Sequence, residues 1–410
     1  MQAEIVTIGT ELLLGEIVDT NSAWIAQRLT TIGLNMFYTT TVGDNLTRIA
    51  DVLRAALERS DVVITTGGLG PTVDDMTREA VAIATGRELV LDEDLVQEIA
   101  CFFSRRNAQM TDNNRKQACL PAGARIIHNP VGTAPSFAVE HNEHVIISLP
   151  GVPHEMRHLM ENEVLPYLRQ RFDLQGIIKS RVLRTCGIGE SVLGAQIDDL
   201  MQLSNPTVGT AAHPGQTDVR ITVKAASEAE ADTMIAPVER QIRERVGEYI
   251  FGVDQQTLSD VLIGLIAEHG LRLATAESST RGELARQLGD AAKGRPAFAG
   301  GVVALDAETL QRSLGLSTQE IGQSYPNQEI ADAAARAACR LYGADLGLAV
   351  IGPADLTIPD APPVYFSLAT SDAVIAAPPR KGRSDPAGRG WLIHLAMDLA
   401  RRQLQGLPIR

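Results

Sequence analysis

Residues 61–77 narrow the possible folds of this 410-residue chain more than any other stretch. Asp61-Val62-Val63-Ile64-Thr65 carries a buried-strand pattern and stops at Gly67-Gly68-Leu69-Gly70-Pro71-Thr72-Val73-Asp74-Asp75-Met76-Thr77, after which a helical pattern runs near Met76–Thr85. An apolar strand of this kind belongs in a sheet covered on both faces. Glycines at such a strand-to-helix turn let backbone N–H groups approach an anion, and the helix N-terminus adds a positive dipole. The loop is not a Walker A loop, since no Gly-Lys-Ser/Thr follows, and it is not GxGxxG. Asp74 or Asp75 can either cap the helix or hold a divalent cation beside a phosphate. Spacing alone leaves both parts open. Adjacent side chains diverge, so only one of the pair is expected to face a site.

The same rhythm fills the first ~170 residues. Strand signals at Ala3–Ile8, Leu34–Val42, Arg125–His128 and His144–Leu149 alternate with helical patterns, the last from about His154 to Phe172. Such alternation implies a parallel or mostly parallel sheet with helices on both faces. From Gly176 to Asp254 the order changes to β-α-β-β-α, which reads as a small α+β module. A third α/β unit runs from Gln255, with strands expected at Leu271–Ala276, Ala299–Leu305 and Leu346–Gly352, a Pro-, Gly- and basic-rich surface loop at Ala376–Arg389, and a closing helix at Trp391–Leu404. The expected domains are therefore 1–172, 176–254 and 255–410.

Composition excludes several classes. Lys and Arg number 37 against 50 Asp and Glu, a net charge of −13, which argues against binding nucleic acid by overall charge. The four cysteines (Cys101, Cys119, Cys186, Cys339) have no CxxC spacing, so zinc ribbons and redox dithiols are set aside and buried thiols are expected. No apolar run approaches the ~18 residues of a membrane span. Met1-Gln2-Ala3-Glu4 leads straight into a strand with no basic leader. A cytoplasmic protein with no membrane partner is expected.

In an open α/β sheet the carboxyl ends of the strands share one crevice. Gly9-Thr10-Glu11, Val42-Gly43-Asp44-Asn45 and Gly67–Asp75 would lie there side by side, which collects Glu11, Asp44 and Asp75 with hydroxyls from Thr10 and Thr72. Each alone is equally a turn or cap residue. Asn129-Pro130-Val131-Gly132-Thr133-Ala134-Pro135 and Leu149-Pro150-Gly151-Val152-Pro153-His154-Glu155 are further strand-end loops that could wall a pocket. The cations of Asn113-Asn114-Arg115-Lys116-Gln117 read as a solvated helical face.

Gly9-Thr10-Glu11 with Gly15 and Asp19-Thr20-Asn21, Val42-Gly43-Asp44, Gly67–Thr77, Asn129–Ala134 and Leu149–Pro153 together resemble, in order, the CinA-like (competence/damage-inducible protein A) family. The resemblance implies a three-layer molybdopterin-binding-like first domain, a KH-type-like middle module, and an α/β third domain of nicotinamide-nucleotide amidohydrolase type. It further implies metal-dependent hydrolysis of ADP-ribose or a similar nucleoside diphosphate in the first domain. Asp75 and Asp44 would then hold the divalent metal, with Glu11 as a further catalytic acid. Thr10, Gly67, Gly68, Gly70, Thr72, Asn129 and Thr133 would bind the nucleotide. A homodimer is also expected.

In the third unit the family's Ala-Glu-Ser-Cys-Thr-Gly-Gly stands as Ala276-Glu277-Ser278-Ser279-Thr280-Arg281-Gly282. The nucleophile stretch falls on Lys293-Gly294-Arg295, and a tyrosine and a lysine become Leu305 and Leu310. Ser278, Ser279 and Thr280 are the remnants of a degenerate site, and no base aligns with them. The expected alternatives to the hydrolase are a nicotinamide mononucleotide deamidase with a rearranged third-unit site, and a non-catalytic molybdopterin- or nucleotide-binding protein.

Overall fold

A computed structural model describes the chain except for residues 322, 323, 359, 384 and 385 and the side chains of 321, 386 and 387. The chain divides into two compact units, one of residues 1–179 and 224–232, the other of residues 180–223 and 233–410.

The first unit is built on three strands, β1 (Gln2–Ile8), β2 (Asn35–Val42) and β3 (Val62–Thr66). The sheet runs β2-β1-β3, then His144–Leu149, Ser136–His141 and Arg125–Ile127. The first four strands are parallel, and Ser136–His141 runs antiparallel to its neighbours on both sides. All five residues of β3 are buried, because strands flank it on both edges and apolar helices cover both faces. Val63 and Ile146 face one core with Ile49, Leu53 and Val81, while Ile64 and Ile147 face the other with Ile25, Leu29 and Met156. Helix Leu46–Arg59 buries Ile49, Ala50, Leu53, Ala56 and Leu57, an i, i+4, i+7 stripe, and Asn45 caps it by accepting from the Arg48 N–H. The antiparallel strand Ser136–His141 carries no alternation of its own, being buried at its first four positions, and was not expected.

A four-stranded sheet, all but residues 177–179, 224 and 225 of it in the second unit, orders Thr207–His213, Gln216–Ala225, Ile177–Cys186 and Ile250–Val253. A five-stranded sheet orders Phe298–Val303, Leu273–Glu277, Leu346–Ile351, Val364–Ala369 and Val374–Arg380. The stretch expected as a loop at Ala376–Arg389 is thus largely an edge strand and the start of helix Pro386–Leu404, with residues 384 and 385 outside the described residues. Pro378 and Pro379 argued for a loop, but an edge strand tolerates prolines because one side of its backbone has no ladder partner. The cysteines are all free, yet only Cys186 is buried and Cys101 is exposed, which corrects the expectation of four buried thiols. Among the described residues no helix is long and apolar enough to cross a membrane.

Candidate active site

The four parallel strands of the first unit end at one sheet edge. Their exits contribute Gly9 and Glu11, Asp44, Gly67–Pro71 with Asp74 and Asp75, and Pro150–Pro153 with Glu155 to the lining of a cleft of about 550 Å³, together with Thr133 and Ala134. Of the expected site residues, Glu11, Asp44, Gly67, Gly68, Gly70, Asp75 and Thr133 line it. Thr10, Thr72 and Asn129 do not, and each instead holds a carboxylate that does. Asp44 Oδ2 accepts from the Thr10 amide at 2.8 Å and the Thr10 hydroxyl at 2.7 Å. Asp75 Oδ2 accepts from the Thr72 amide at 2.8 Å and from its hydroxyl. Asn129 Nδ2 donates to Glu155 Oε2 at 2.7 Å.

Both Asp74 and Asp75 line the cleft, contrary to the expectation that one would turn away. The pair lies in the turn before helix Thr77–Thr85, where the 100° divergence of helical neighbours does not apply. Neither caps that helix, whose N-cap is Met76. Thr72 and the Asp74 amide hold the Asp74 carboxyl below its usual range.

The expected phosphate role of the Gly67 amide is also corrected. That N–H donates to the Leu149 carbonyl at 3.1 Å and is not free for a ligand. The amides of Gly68, Leu69 and Gly70 have no partner among the described residues. Gly67 has φ +107° and Gly68 φ +65°, conformations that L side chains rarely adopt.

Six carboxylates line the cleft (Glu11, Asp19, Asp44, Asp74, Asp75 and Glu155), and among the described residues no Lys, Arg or His does. Asp19 is already spent, capping helix Thr20–Thr30 through the Ser22 amide at 2.9 Å. Hard carboxylate oxygens suit a divalent cation such as Mg²⁺ or Ca²⁺. Among the described residues no three His, Cys, Asp or Glu side chains converge to hold one by themselves, so phosphate and water oxygens would have to complete its shell.

Sequence reasoning missed the residues behind the loop. Arg78 is fully buried, and burial pulls its pKa down from the ordinary value. It donates to the Leu69 carbonyl at 2.8 Å and the Gly70 carbonyl at 2.7 Å. Helical periodicity held the signal: Arg78 shares its face with Val81, Ala82 and Thr85, all buried. Lys116 is not on a solvated face, since its Nζ donates to the Asp75 carbonyl at 2.6 Å and pairs with Glu79 at 3.3 Å. Gln117 is likewise buried and lines the cleft.

In the third unit Ser278, Ser279, Thr280 and Glu277 are fully buried. Ser278 Oγ accepts from the Gly352 amide and donates to the Gly352 carbonyl, both at 2.9 Å. Ser279 donates to the Pro353 carbonyl at 3.0 Å. Thr280 donates at 2.6 Å to Glu277, whose carboxylate also accepts the Gly282, Leu284 and Ala285 amides at the start of helix Glu283–Ala292. Arg281 closes over the Ala354 carbonyl at 2.6 Å. These hydroxyls are bound into the loop's own scaffold.

A glycine-rich turn at the carboxyl edge of a mostly parallel sheet, faced by carboxylates, makes the first unit an α/β domain with its cleft at the strand exits. Residues 4–170 match the family described as "Probable molybdopterin binding domain", 180–252 the damage-inducible protein CinA KH domain, and 255–385 the CinA C-terminal domain. The chain belongs to the CinA family. It is 40% identical over 415 residues to a competence-damage inducible protein of Caldanaerobacter subterraneus subsp. tengcongensis, covering 100% of both. It is 42% identical to one from Halothermothrix orenii, covering 86% of this chain and 85% of the relative. A solved CinA protein of unknown function from Thermoplasma acidophilum is 39% identical, covering 40% of this chain and 98% of that one with a TM-score of 0.38.

Proposed function

We propose that the first unit hydrolyses the diphosphate linkage of a nucleotide of the ADP-ribose class with a divalent cation. One observation carries this reading: the cleft sets unpaired backbone amides beside carboxylates and has no basic side chain of its own among the described residues. A diphosphate would be repelled by those carboxylates unless a cation entered with it.

Asp44 and Asp75 would hold that cation through the Oδ1 oxygens that their Thr10 and Thr72 clamps leave open. When bound, it would neutralise phosphate oxygens and make a water a better nucleophile. The amides of Gly68, Leu69 and Gly70 receive the non-bridging oxygens of the phosphate under attack. Glu11 accepts a proton from the attacking water as its oxygen bonds to phosphorus. The P–O bridge then breaks, and the bridging oxygen leaves on the second monophosphate. Ile17, Val18 and Val152 wall the cleft and supply apolar surface for the nucleoside.

A metal-by-substrate screen on the intact chain tests this. ADP-ribose is expected to give AMP and ribose 5-phosphate with Mg²⁺ or Mn²⁺, and excess chelator is expected to stop it. No turnover of any nucleoside diphosphate linkage with any divalent metal overturns the proposal in favour of a binding protein.

The third unit bears on the competing deamidase. A reacting amide needs a nucleophile and a base within about 3 Å of one another. Here the candidate hydroxyls are fully buried: Ser278 and Ser279 are committed to backbone carbonyls, and the carboxylate beside Thr280, Glu277, is itself spent on the amides of Gly282, Leu284 and Ala285. The intact chain is therefore expected to release no ammonia from nicotinamide mononucleotide above the protein-free rate. Turnover in the ordinary range of ~1–10³ s⁻¹ would reinstate the deamidase.

A further inference from the structure

The loop Gly67–Gly70 is braced from behind at four successive carbonyls. The Thr77 hydroxyl donates to the Gly67 carbonyl at 2.8 Å, and the Thr77 amide to that of Gly68 at 3.2 Å. Arg78 takes the next two, Leu69 at 2.8 Å and Gly70 at 2.7 Å, and Gln117 Nε2 adds a second donor to Leu69 at 3.3 Å. In a planar trans peptide the carbonyl of one residue and the N–H of the next point in opposite directions. Drawing the carbonyls of residues 67, 68 and 69 to the buried side therefore turns the N–H groups of Gly68, Leu69 and Gly70 the other way. The loop lines the cleft, and none of those three amides has a partner among the described residues. The fourth carbonyl belongs to the peptide of Pro71, which has no N–H to present.

We propose that Arg78 is the positioning residue that builds a three-amide anion nest here, with Thr77 as its helper, and that its guanidinium backs the nest with positive charge. Arg78 never touches the ligand. Its two Nη donors hold adjacent peptides at a fixed spacing, which a rigid planar fork can do and a single ammonium cannot. Its charge acts through the loop where burial keeps water from screening it. The cleft lining is acidic, so the recognised ligand class is a phosphate or diphosphate that arrives with its own divalent cation. The inference rests on phosphate binding in this cleft, not on hydrolysis.

The test compares a phosphorylated and an unphosphorylated probe on the full-length protein. Affinities for ADP with Mg²⁺ and for adenosine are measured by calorimetry for the wild type, Arg78→Lys, Arg78→Met and Thr77→Ala, with folding checked by circular dichroism. Arg78→Lys keeps the charge but reaches one carbonyl, so ADP affinity is expected to fall about tenfold, and Arg78→Met about a hundredfold, the scale of losing preorganised anion donors. Thr77→Ala, which removes only the Gly67 brace, is expected to fall about fivefold. Adenosine affinity should stay within about twofold throughout, because no nest amide contacts the nucleoside. A merely structural role would lower both probes together, and that result overturns the proposal. So does unchanged ADP affinity in folded variants, or a wild type that binds ADP no tighter than adenosine. Where Arg78→Met does not fold, Arg78→Lys and Thr77→Ala decide. Hydrolysis is not read, so a failed hydrolase assay with a selective loss of ADP binding leaves this inference standing.

Discussion

Replacing Asp75 by Asn is expected to reduce hydrolysis at least about a hundredfold while the protein stays folded. The structural half of Asp75's work survives the change. Its Oδ2 accepts the Thr72 amide, and an Asn carbonyl oxygen can accept the same bond. The stability cost should therefore stay within the ~0.5–2 kcal/mol of a lost capping interaction. The chemical half does not survive, because a neutral amide is a much poorer ligand for a hard divalent cation and leaves phosphate charge uncompensated. Rates with saturating Mg²⁺ and melting curves on the same preparation separate the two. A folded Asp75→Asn protein with full activity would remove Asp75 from the metal site.

Gly67→Ala should instead cost stability, about 3 kcal/mol or more. A Cβ at residue 67 would lie 2.1 Å from the Ile8 carbonyl oxygen, and φ there is +107°. Ile8 closes β1, which is paired on one side to β2 and on the other to β3, so its backbone has little room to yield. Gly86→Ala is the matched control. Gly86 also has positive φ, +67°, but a Cβ there meets nothing within 4 Å, so only the left-handed backbone penalty of ~1 kcal/mol applies. Urea midpoints at unchanged slope measure both. Equal losses in the two variants would mean that the clash at Ile8 is relieved by a shift of the loop.

The site's floor was legible because strand exits in a parallel sheet share an edge, whatever their distance in sequence. Glu11, Asp44 and Asp75 are separated by tens of residues, yet they line one cleft because β1, β2 and β3 are neighbours. Glu155 joins them through the fourth parallel strand, from a strand-end loop whose place in the sequence is that of a pocket wall or a turn. The degenerate motif around Ser278 was legible from residue identity alone. That its hydroxyls are consumed by Gly352, Pro353 and Glu277 was not, since those bonds close a loop more than 70 residues away as well as one nearby.

By itself the sequence determined the α/β alternation, the glycine turn after β3 and the family, because apolar periodicity and glycine placement are local properties that each segment carries wherever it lies. Which backbone amides are free, which hydroxyls clamp a carboxylate and which cations stand behind the loop were decided by tertiary structure. Gly67 lost its amide to Leu149 of a neighbouring strand, and Arg78 and Lys116 turned from surface-type residues into braces for the loop. Hydrogen-bond partners are assigned by packing in three dimensions, and a buried polar group takes whichever partner the fold brings within 3 Å.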